Sequence, residues 1–487
     1  MKIQATQRLF SSMSTSYSLR HRSRLLDAAR GLLRVNSSNG SNERNTPIPC
    51  FALQAHHVQD NLVAASPQEF HTRLVQLIRG AQRRVSLASL YIGPAVAHEK
   101  ELELLQALEA VPSHVDVKIV MDSNRGLRKV PLGTGKSTTS AAEAVAKAIH
   151  MRDNHQLYLC QVLPNPLDQL LPNPLNEVAG VFHIKAYIID DTLVLSGANL
   201  SEEYFTDRHD RYLQIQGSEV VDFYAQLIDI LCHHASDPYP DGLTKKPIQP
   251  FWDQVHQLFS DYSPKSSDEL LQDPQTVAVC VPTFHHPQVT PPHDRLPSDV
   301  DITLSLLEQS AEEKSSVQLA SAYLNPSEQL LQALRRHPQV DFLTAGRLSH
   351  GFKPKPKAGN KGKAWIPTVF DHLQYQALLP NTRLWHWQRE GWSFHAKGLW
   401  IRQDEELLAA VVGSSNFGRR SFERDMESNL VLVFPPNSPL ASQFSQEWNV
   451  LLQSSQHVED PKGTLVDMAP PLPLHVRLCY PFIKSFF

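Results

Sequence analysis

The chain repeats itself, and that repetition limits its possible folds more than any other feature. Val85-Ser86-Leu87-Ala88-Ser89-Leu90-Tyr91 in the first part is answered by Val317-Gln318-Leu319-Ala320-Ser321-Ala322-Tyr323 in the second. A His-x-Lys triplet follows each at a similar distance: His183-Ile184-Lys185 after Tyr91, and His395-Ala396-Lys397 after Tyr323. Each triplet leads to a small-residue turn ending in asparagine, Ser196-Gly197-Ala198-Asn199 and Gly413-Ser414-Ser415-Asn416. Such self-similarity reads as an internal duplication. Two α/β units should therefore pack with pseudo-twofold symmetry, and His183 and His395 should face one shared cleft.

The residues between the motifs fit that expectation. Residues 67–83 have helical apolar spacing, and RVSLASLYIG reads as a short strand. ELELLQALEAV (helix), VDVKIVMD (strand), AAEAVAKAIH (helix) and QLYLCQVL (strand) follow. FHIKAYIIDDTLVLSG reads as two strands about a turn at Asp190-Asp191. The second part repeats the order with ITLSLLEQSAE, SVQLASAYLNP, EQLLQALRR and QVDFLTAG, then strands around its own motif. The expected division is a leader over 1–45, a first domain over 46–245, a linker region over 246–295, a second domain over 296–457 and a C-terminal extension over 458–487.

At 487 residues the chain can bury two cores. A net charge of -4 argues against a surface built for nucleic acid, so no nucleic-acid partner is expected. Five scattered cysteines do not make a disulfide framework. Residues 1–26 hold no acid, but Lys2, Arg8, Arg20, Arg22 and Arg24 stand there among serines. That is the composition of a mitochondrial transit peptide, so the leader is set apart from the fold. Gly133 to Thr138 resembles the end of a Walker A loop, but Val130 stands where its first glycine belongs.

Residues i and i+2 of a strand share a face, so His183 projects with Lys185 and His395 with Lys397. Two imidazoles and two ammonium groups suit a phosphodiester. One histidine attacks phosphorus and the other protonates the leaving oxygen. Lys185, Lys397, Asn199 and Asn416 would stabilise the phosphoryl oxygens, with Ser196 and Ser414 as further substrate-binding candidates. Asp210 follows Asn199 at the same interval as Glu427 follows Asn416. That equal offset marks them as the carboxylates orienting His183 and His395. Arg125, after the strand VDVKIV, and Arg420, after Asn416, are candidates for an anionic second substrate. No cluster of ligands with metal-site spacing accompanies these residues, so neither metal nor cofactor is expected.

H-x-K-x4-D followed by a small-residue turn with asparagine resembles the phospholipase D superfamily, and His183, Lys185 and Asp190 match it in full. Within it, ASLYIG at 88–93, residues 183–212, WSFHAKGLW at 392–400, residues 413–433 and the terminal VRLCYPFIKSFF are similar to the eukaryotic mitochondrial phosphatidylglycerophosphate synthase family. The resemblance implies two tandem phospholipase D-like domains and a catalytic set of His183, Lys185, Asp190, His395 and Lys397. It implies a phosphatidyl-histidine on His183, CMP as leaving group, and CDP-diacylglycerol and glycerol 3-phosphate as substrates. It also implies peripheral attachment to an anionic membrane surface on the matrix face of the mitochondrial inner membrane. The basic loop from Lys353 to Lys363 and the aromatic tail from Val476 to Phe487 suit such contact.

The second motif departs from the pattern. Arg402 stands where the aspartate is expected, with Asp404 nearby, and the path from His395 to Asn416 is longer than that from His183 to Asn199. A phospholipase D-like hydrolase of phospholipid or nucleic acid would share the first step and differ in its acceptor, water. A non-catalytic scaffold would have no need of an intact His395, Lys397 and Asn416.

Overall fold

The computed structural model describes residues 18–30, 48–132, 137–162, 180–241, 248–262, 266–287, 296–352, 366–459, 474 and 476–478. Strands of the first half, in chain order, are β1 (Phe51–Gln54), β2 (Arg84–Ser89), β3 (Asp116–Asp122), β4 (Val130–Pro131), β5 (Thr138–Thr139), β6 (His155–Cys160), β7 (Ala186–Ile189), β8 (Thr192–Ser196), β9 (Arg208–His209) and β10 (Tyr212–Gln216). Those of the second are β11 (Thr276–Pro282), β12 (Ser316–Ala320), β13 (Val340–Ala345), β14 (Thr382–Trp387), β15 (Ser393–Phe394), β16 (Gly398–Gln403), β17 (Glu406–Gly413), β18 (Asn429–Val433) and β19 (Ser455–His457).

The duplication is visible in the sheets. The first runs β10-β8-β7-β2-β3-β6. The second contains β18-β17-β16-β12-β13-β14 in the same order, with β11 and β1 added at one edge and β19 at the other. In each, three strands are parallel (β2-β3-β6 and β12-β13-β14) and the motif hairpin (β7-β8 and β16-β17) is antiparallel. The helices entering the repeats start alike. Ser66 and Glu69 form a capping box on Pro67–Arg79, and Ser298 and Asp301 form one on Asp299–Glu312. Each such cap is worth about 1 kcal/mol. The two sheets abut through β8 and β17, and one apolar core runs through both halves.

Three expectations need correction. Residues 18–29, placed in the leader, form a helix whose Leu25, Leu26, Ala28 and Ala29 are fully buried. Arg22 anchors it, with Nε donating to the Phe434 carbonyl at 2.7 Å and Nη2 meeting Glu406 at 2.8 Å. The apolar stripe at 25, 26, 28 and 29 overrides what the composition indicated. Second, the linker region 246–295 is largely structured. It holds helices Ile248–Ser260 and Ser267–Gln272 and the strand β11, buried along its whole length. Third, β1 pairs with β11 rather than with its own half, so the first domain drawn over 46–245 takes in a strand of the second sheet. A helix over Ile366–Ala377 was not read from the sequence. The whole basic loop from Lys353 to Lys363 and most of the aromatic tail lie outside the described residues.

The hairpin turns show what the motif aspartate does. Asp190 takes a left-handed backbone (φ 50°) between β7 and β8, and its carboxylate accepts from the backbone N–H groups of Gln82, Arg83 and Arg84. Burial opposes its charge, but those donors hold the carboxyl below its ordinary range. Asp190 thus pins β7 to the start of β2 and does not line the cleft described below, which corrects its expected place in the catalytic set. In the second half Asp404 takes the same left-handed turn position (φ 51°), while Arg402 bonds Ser445 and the Glu405 carbonyl. The turn survives there without the motif aspartate because Asp404 supplies its conformation.

Candidate active site

Each histidine is carried by one half and held by the other. The backbone N–H of His183 donates to the Met426 carbonyl at 2.9 Å, and that of His395 to the His209 carbonyl at 2.8 Å. These parallel bridges bring the next residue, Glu427 or Asp210, beside the imidazole. His183 Nδ1 lies 3.0 Å from both Glu427 oxygens, and His395 Nδ1 lies 2.6 Å from Asp210 Oδ2. The two carboxylates marked by the equal offset are therefore used crosswise. The sheet order explains why. Within one half β8 separates β10 from β7, and β17 separates β18 from β16. Two strand spacings, roughly 10 Å, put each half's own carboxylate beyond hydrogen-bond reach. With Nδ1 committed to a carboxylate, Nε2 of each ring is left for chemistry.

Both imidazoles line one cavity of about 320 Å3, together with Asn199, Asn416, Tyr91, Tyr204, Tyr323, Arg125, Arg208 and Arg420. Asn199 Nδ2 donates to Tyr204 Oη at 3.1 Å, and Tyr204 Oη lies 3.3 Å from His395 Nε2. Asn199 Oδ1 and Asn416 Oδ1 are buried without a hydrogen-bond partner among the described residues. Buried orphans of this kind point to a ligand that completes them.

Lys185 and Lys397 do not line the cavity; they lie beneath it, almost fully buried. Lys185 Nζ donates to the His183 carbonyl at 2.5 Å. Lys397 Nζ meets the His395 carbonyl and Nδ1 at 2.8 Å and Asp210 at 3.3 Å. Burial pushes both ammonium groups down from their ordinary values. Burial first, then the neighbouring lysine, also keeps His183 and His395 well below the usual imidazole range, so both are neutral. The carboxylates differ. Burial raises both, but Lys397 and His395 draw Asp210 down to about 2, whereas Glu427 stays raised despite Lys185 and the hydroxyls of Ser414 and Ser421.

Several expected ligands have structural partners. Ser196 Oγ bonds the Arg211 carbonyl at 2.7 Å, and Ser414 Oγ bonds the Ser428 carbonyl at 3.2 Å. Both serines are fully buried, and neither lines the cavity, which corrects the substrate-binding reading. Gly197 admits the crossing itself: a Cβ there would lie 2.5 Å from Lys397 Nζ and 2.6 Å from Asp210 Oδ1. Arg125 does reach the cavity. Its turn is capped by Asp122, whose other oxygen takes the Phe182 N–H at 2.9 Å, tying that turn to the first motif. Arg420 also lines the cavity and is paired with Asp425 at 2.9 Å. His183, Asp425 and Glu427 offer ligand atoms within 4.8 Å of one another, but Glu427 is engaged by His183 and Asp425 by Arg420.

Tyr204 and Arg208 escaped the sequence reading, and Tyr323 entered it only as the end of a repeated strand. One constant offset relates Asn199 to Asn416 and Asp210 to Glu427, and applying it between those markers would have flagged the stretch 203–208.

Two segments of the chain, residues 74–231 and 306–451, match the family model described as "Cardiolipin synthase, PLD-like domain". The chain belongs to this family. Among relatives of this PLD-like chain is the human mitochondrial CDP-diacylglycerol–glycerol-3-phosphate 3-phosphatidyltransferase, 29% identical, with 90% of this chain and 84% of that protein covered. A Dictyostelium discoideum protein named as a probable enzyme of the same activity is 26% identical over 84% of this chain and 74% of its own. The PLD-like fold is shared with phosphatidylserine synthase of Haemophilus influenzae, at a TM-score of 0.65 and 20% identity, covering 90% of this chain and 96% of that one.

Proposed function

We propose that His183 and His395 divide a two-step phosphatidyl transfer between them. The reaction moves the phosphatidyl group of CDP-diacylglycerol to glycerol 3-phosphate and serves phosphatidylglycerol and cardiolipin synthesis. The observation that carries the division is the crossed bracing of two neutral imidazoles in one cavity, with unequal carboxylates behind them.

In the first step His183 Nε2 attacks the phosphorus that bears diacylglycerol. His395, neutral in the free protein, takes up a proton at Nε2 once the donor's pyrophosphate is bound; the bond from phosphorus to the CMP oxygen breaks, and His395 gives that proton to the oxygen. Asp210, held ionised, is the stronger support for a protonated ring, and the pyrophosphate brings the negative charge that offsets the two lysines. In the second step a glycerol 3-phosphate hydroxyl attacks the same phosphorus, passes its proton to His395 and releases His183. Asn199 and Asn416 face the phosphoryl oxygens, and Arg125 and Arg420 add positive charge to the cavity wall.

The place of action proposed is the matrix face of the mitochondrial inner membrane. The word mitochondrial in the relatives' names supports it, and so does the lack of acid in residues 1–17, ahead of the docked helix. No described helix is long and apolar enough to cross a membrane. Leu474 and Leu478, one helical turn apart in sequence and both exposed, favour surface contact at the C-terminal tail. Deletion of 476–487 should then weaken binding to anionic vesicles.

The decisive experiment incubates purified protein with CDP-diacylglycerol labelled in its phosphatidyl group, with and without glycerol 3-phosphate. Label should be trapped on His183 and discharged as phosphatidylglycerophosphate by the acceptor. Alanine at either histidine should lower turnover by about a thousandfold or more. Label trapped on His395 would reverse the assignment, and phosphatidic acid as the sole product would identify a hydrolase instead.

A further inference from the structure

The offset that relates the two motif turns also relates two ion pairs of opposite polarity. Glu203 and Arg208 pair at 3.1 Å in the first half, and Arg420 and Asp425 pair at 2.9 Å in the second. Under that offset Glu203 answers to Arg420 and Arg208 to Asp425. Duplication has kept the spacing of the pair and exchanged its signs. All four residues line the cavity.

The exchange makes the walls beside the two histidines unlike. His183 is flanked by Asp425, whose carboxylate also takes the Val181 N–H at 2.9 Å. On the side of His395 the corresponding position is Arg208, whose side chain is only 11% exposed. Its Nε donates to Ser393 Oγ at 3.1 Å, on the segment leading into His395, and its Nη1 is held by Glu203. The guanidinium lies 4.8 Å from the centre of the Tyr204 ring, whose hydroxyl reaches His395 Nε2 at 3.3 Å. No protein hydrogen bond to its Nη2 is found among the described residues. An arginine fixed by two of its nitrogens, with the third left over, is pre-organised for an oxyanion.

From this we infer that Arg208 recognises the phosphate of the acceptor and so makes the enzyme prefer glycerol 3-phosphate over uncharged alcohols. This rests on the transferase reading and on His395 as the acceptor's base. An acceptor whose hydroxyl sits on His395 Nε2 has its phosphate a three-carbon span away, and Arg208 is the cation tied to that histidine. Arg208 does no bond-breaking; it is a specificity-determining residue. The donor's phosphates lie between the two histidines and depend on it less.

The test compares three reactions of the full chain: transfer to glycerol 3-phosphate, transfer to glycerol, and exchange of labelled CMP into CDP-diacylglycerol, which needs no acceptor. For Arg208→Gln we expect kcat/KM with glycerol 3-phosphate to fall by about a hundredfold, the value of a charge-assisted pair of bonds. The loss should be at least tenfold greater than for glycerol or for exchange, and should appear chiefly in KM. Arg208→Lys should recover part of the preference. Because a lone Glu203 could disturb folding, Glu203→Gln with Arg208→Gln supplies a neutral pair, which should show the same selective loss. Parallel losses in all three reactions, in the single and the double variant, would overturn the inference and make Arg208 a structural residue. If the unaltered protein forms no phosphatidylglycerophosphate, the transferase reading itself fails, which is a different result.

Discussion

The carboxylate behind His395 forms an ion pair with an ammonium group, while the one behind His183 is bonded by hydroxyls and feels its own lysine, Lys185, only at longer range. Asp210 meets Lys397 at 3.3 Å, and Gly197 leaves the room for it. At the corresponding place in the other half stands Ser414, which with Ser421 bonds Glu427. Asp210 is accordingly drawn to about 2, whereas burial leaves Glu427 raised. Two sites of one origin thus differ in how firmly they keep a negative charge. The proposed division of roles, with the proton on His395 and the attack by His183, follows that difference.

The sharpest way to break the comparison is to neutralise each carboxylate in turn. Asp210→Asn removes a charge that the fold keeps ionised, so kcat should fall by about a thousandfold to ten-thousandfold. Glu427→Gln removes a charge that burial already disfavours, and its loss should be nearer a hundredfold. Equal losses in steady-state turnover would mean that the two braces are equivalent. A smaller effect is expected from the turns. Gly197→Ser forces a side chain against Lys397 and Asp210 and should cost at least tenfold in kcat, while Ser414→Gly should cost less. A Gly197→Ser enzyme as active as the unaltered one would show that Lys397 has room to move aside.

The smallest effect is on stability against pH. Asp210 titrates at about 2 in the fold and about 3.9 when unfolded, so the unfolded chain binds more protons between those values. Its contribution, on the order of 2 kcal/mol, is present above about pH 4 and lost as pH falls through about 2. Glu427 has the opposite sign: its folded carboxyl is raised, so it costs stability once pH exceeds the unfolded value. In thermal melts at neutral pH, Asp210→Asn should be less stable than the unaltered chain and Glu427→Gln no less stable than it. The Asp210→Asn deficit should shrink as the pH is taken down toward about 3. A deficit independent of pH would assign it to lost hydrogen bonds rather than to charge.

The duplicated order of helices and strands along the chain could be read in the sequence because it rests on local patterns: strand runs, helix periodicity and the twin motif turns. The two cavity histidines and the carboxylates paired with them were legible from spacing, but the crossing was not, since it depends on β8 and β17 lying between each histidine and its own half's acid. Arg208 was hidden for a different reason. A search for matching residues misses a position where the halves differ in sign. Arg20, Arg22 and Arg24 read as leader because a docked helix and a cleaved one can share a composition; only burial of Leu25 and Leu26 separates them. The strand β11 was masked by the polar and proline-containing stretch around it.

The docking of residues 18–29 and β1 on the second half has a consequence for how the chain must be made. Arg22 meets the Phe434 carbonyl, 412 residues further along, and Phe51 pairs with Cys280. A chain synthesised or threaded through a membrane from its N-terminus exposes these first segments long before their partners exist. They wait, with apolar faces uncovered, until the last sheet closes over them. Contacts of such long sequence separation slow folding and prolong the interval in which aggregation competes. The beginning of the molecule is therefore among the last parts to be finished, and it depends on protection during the wait.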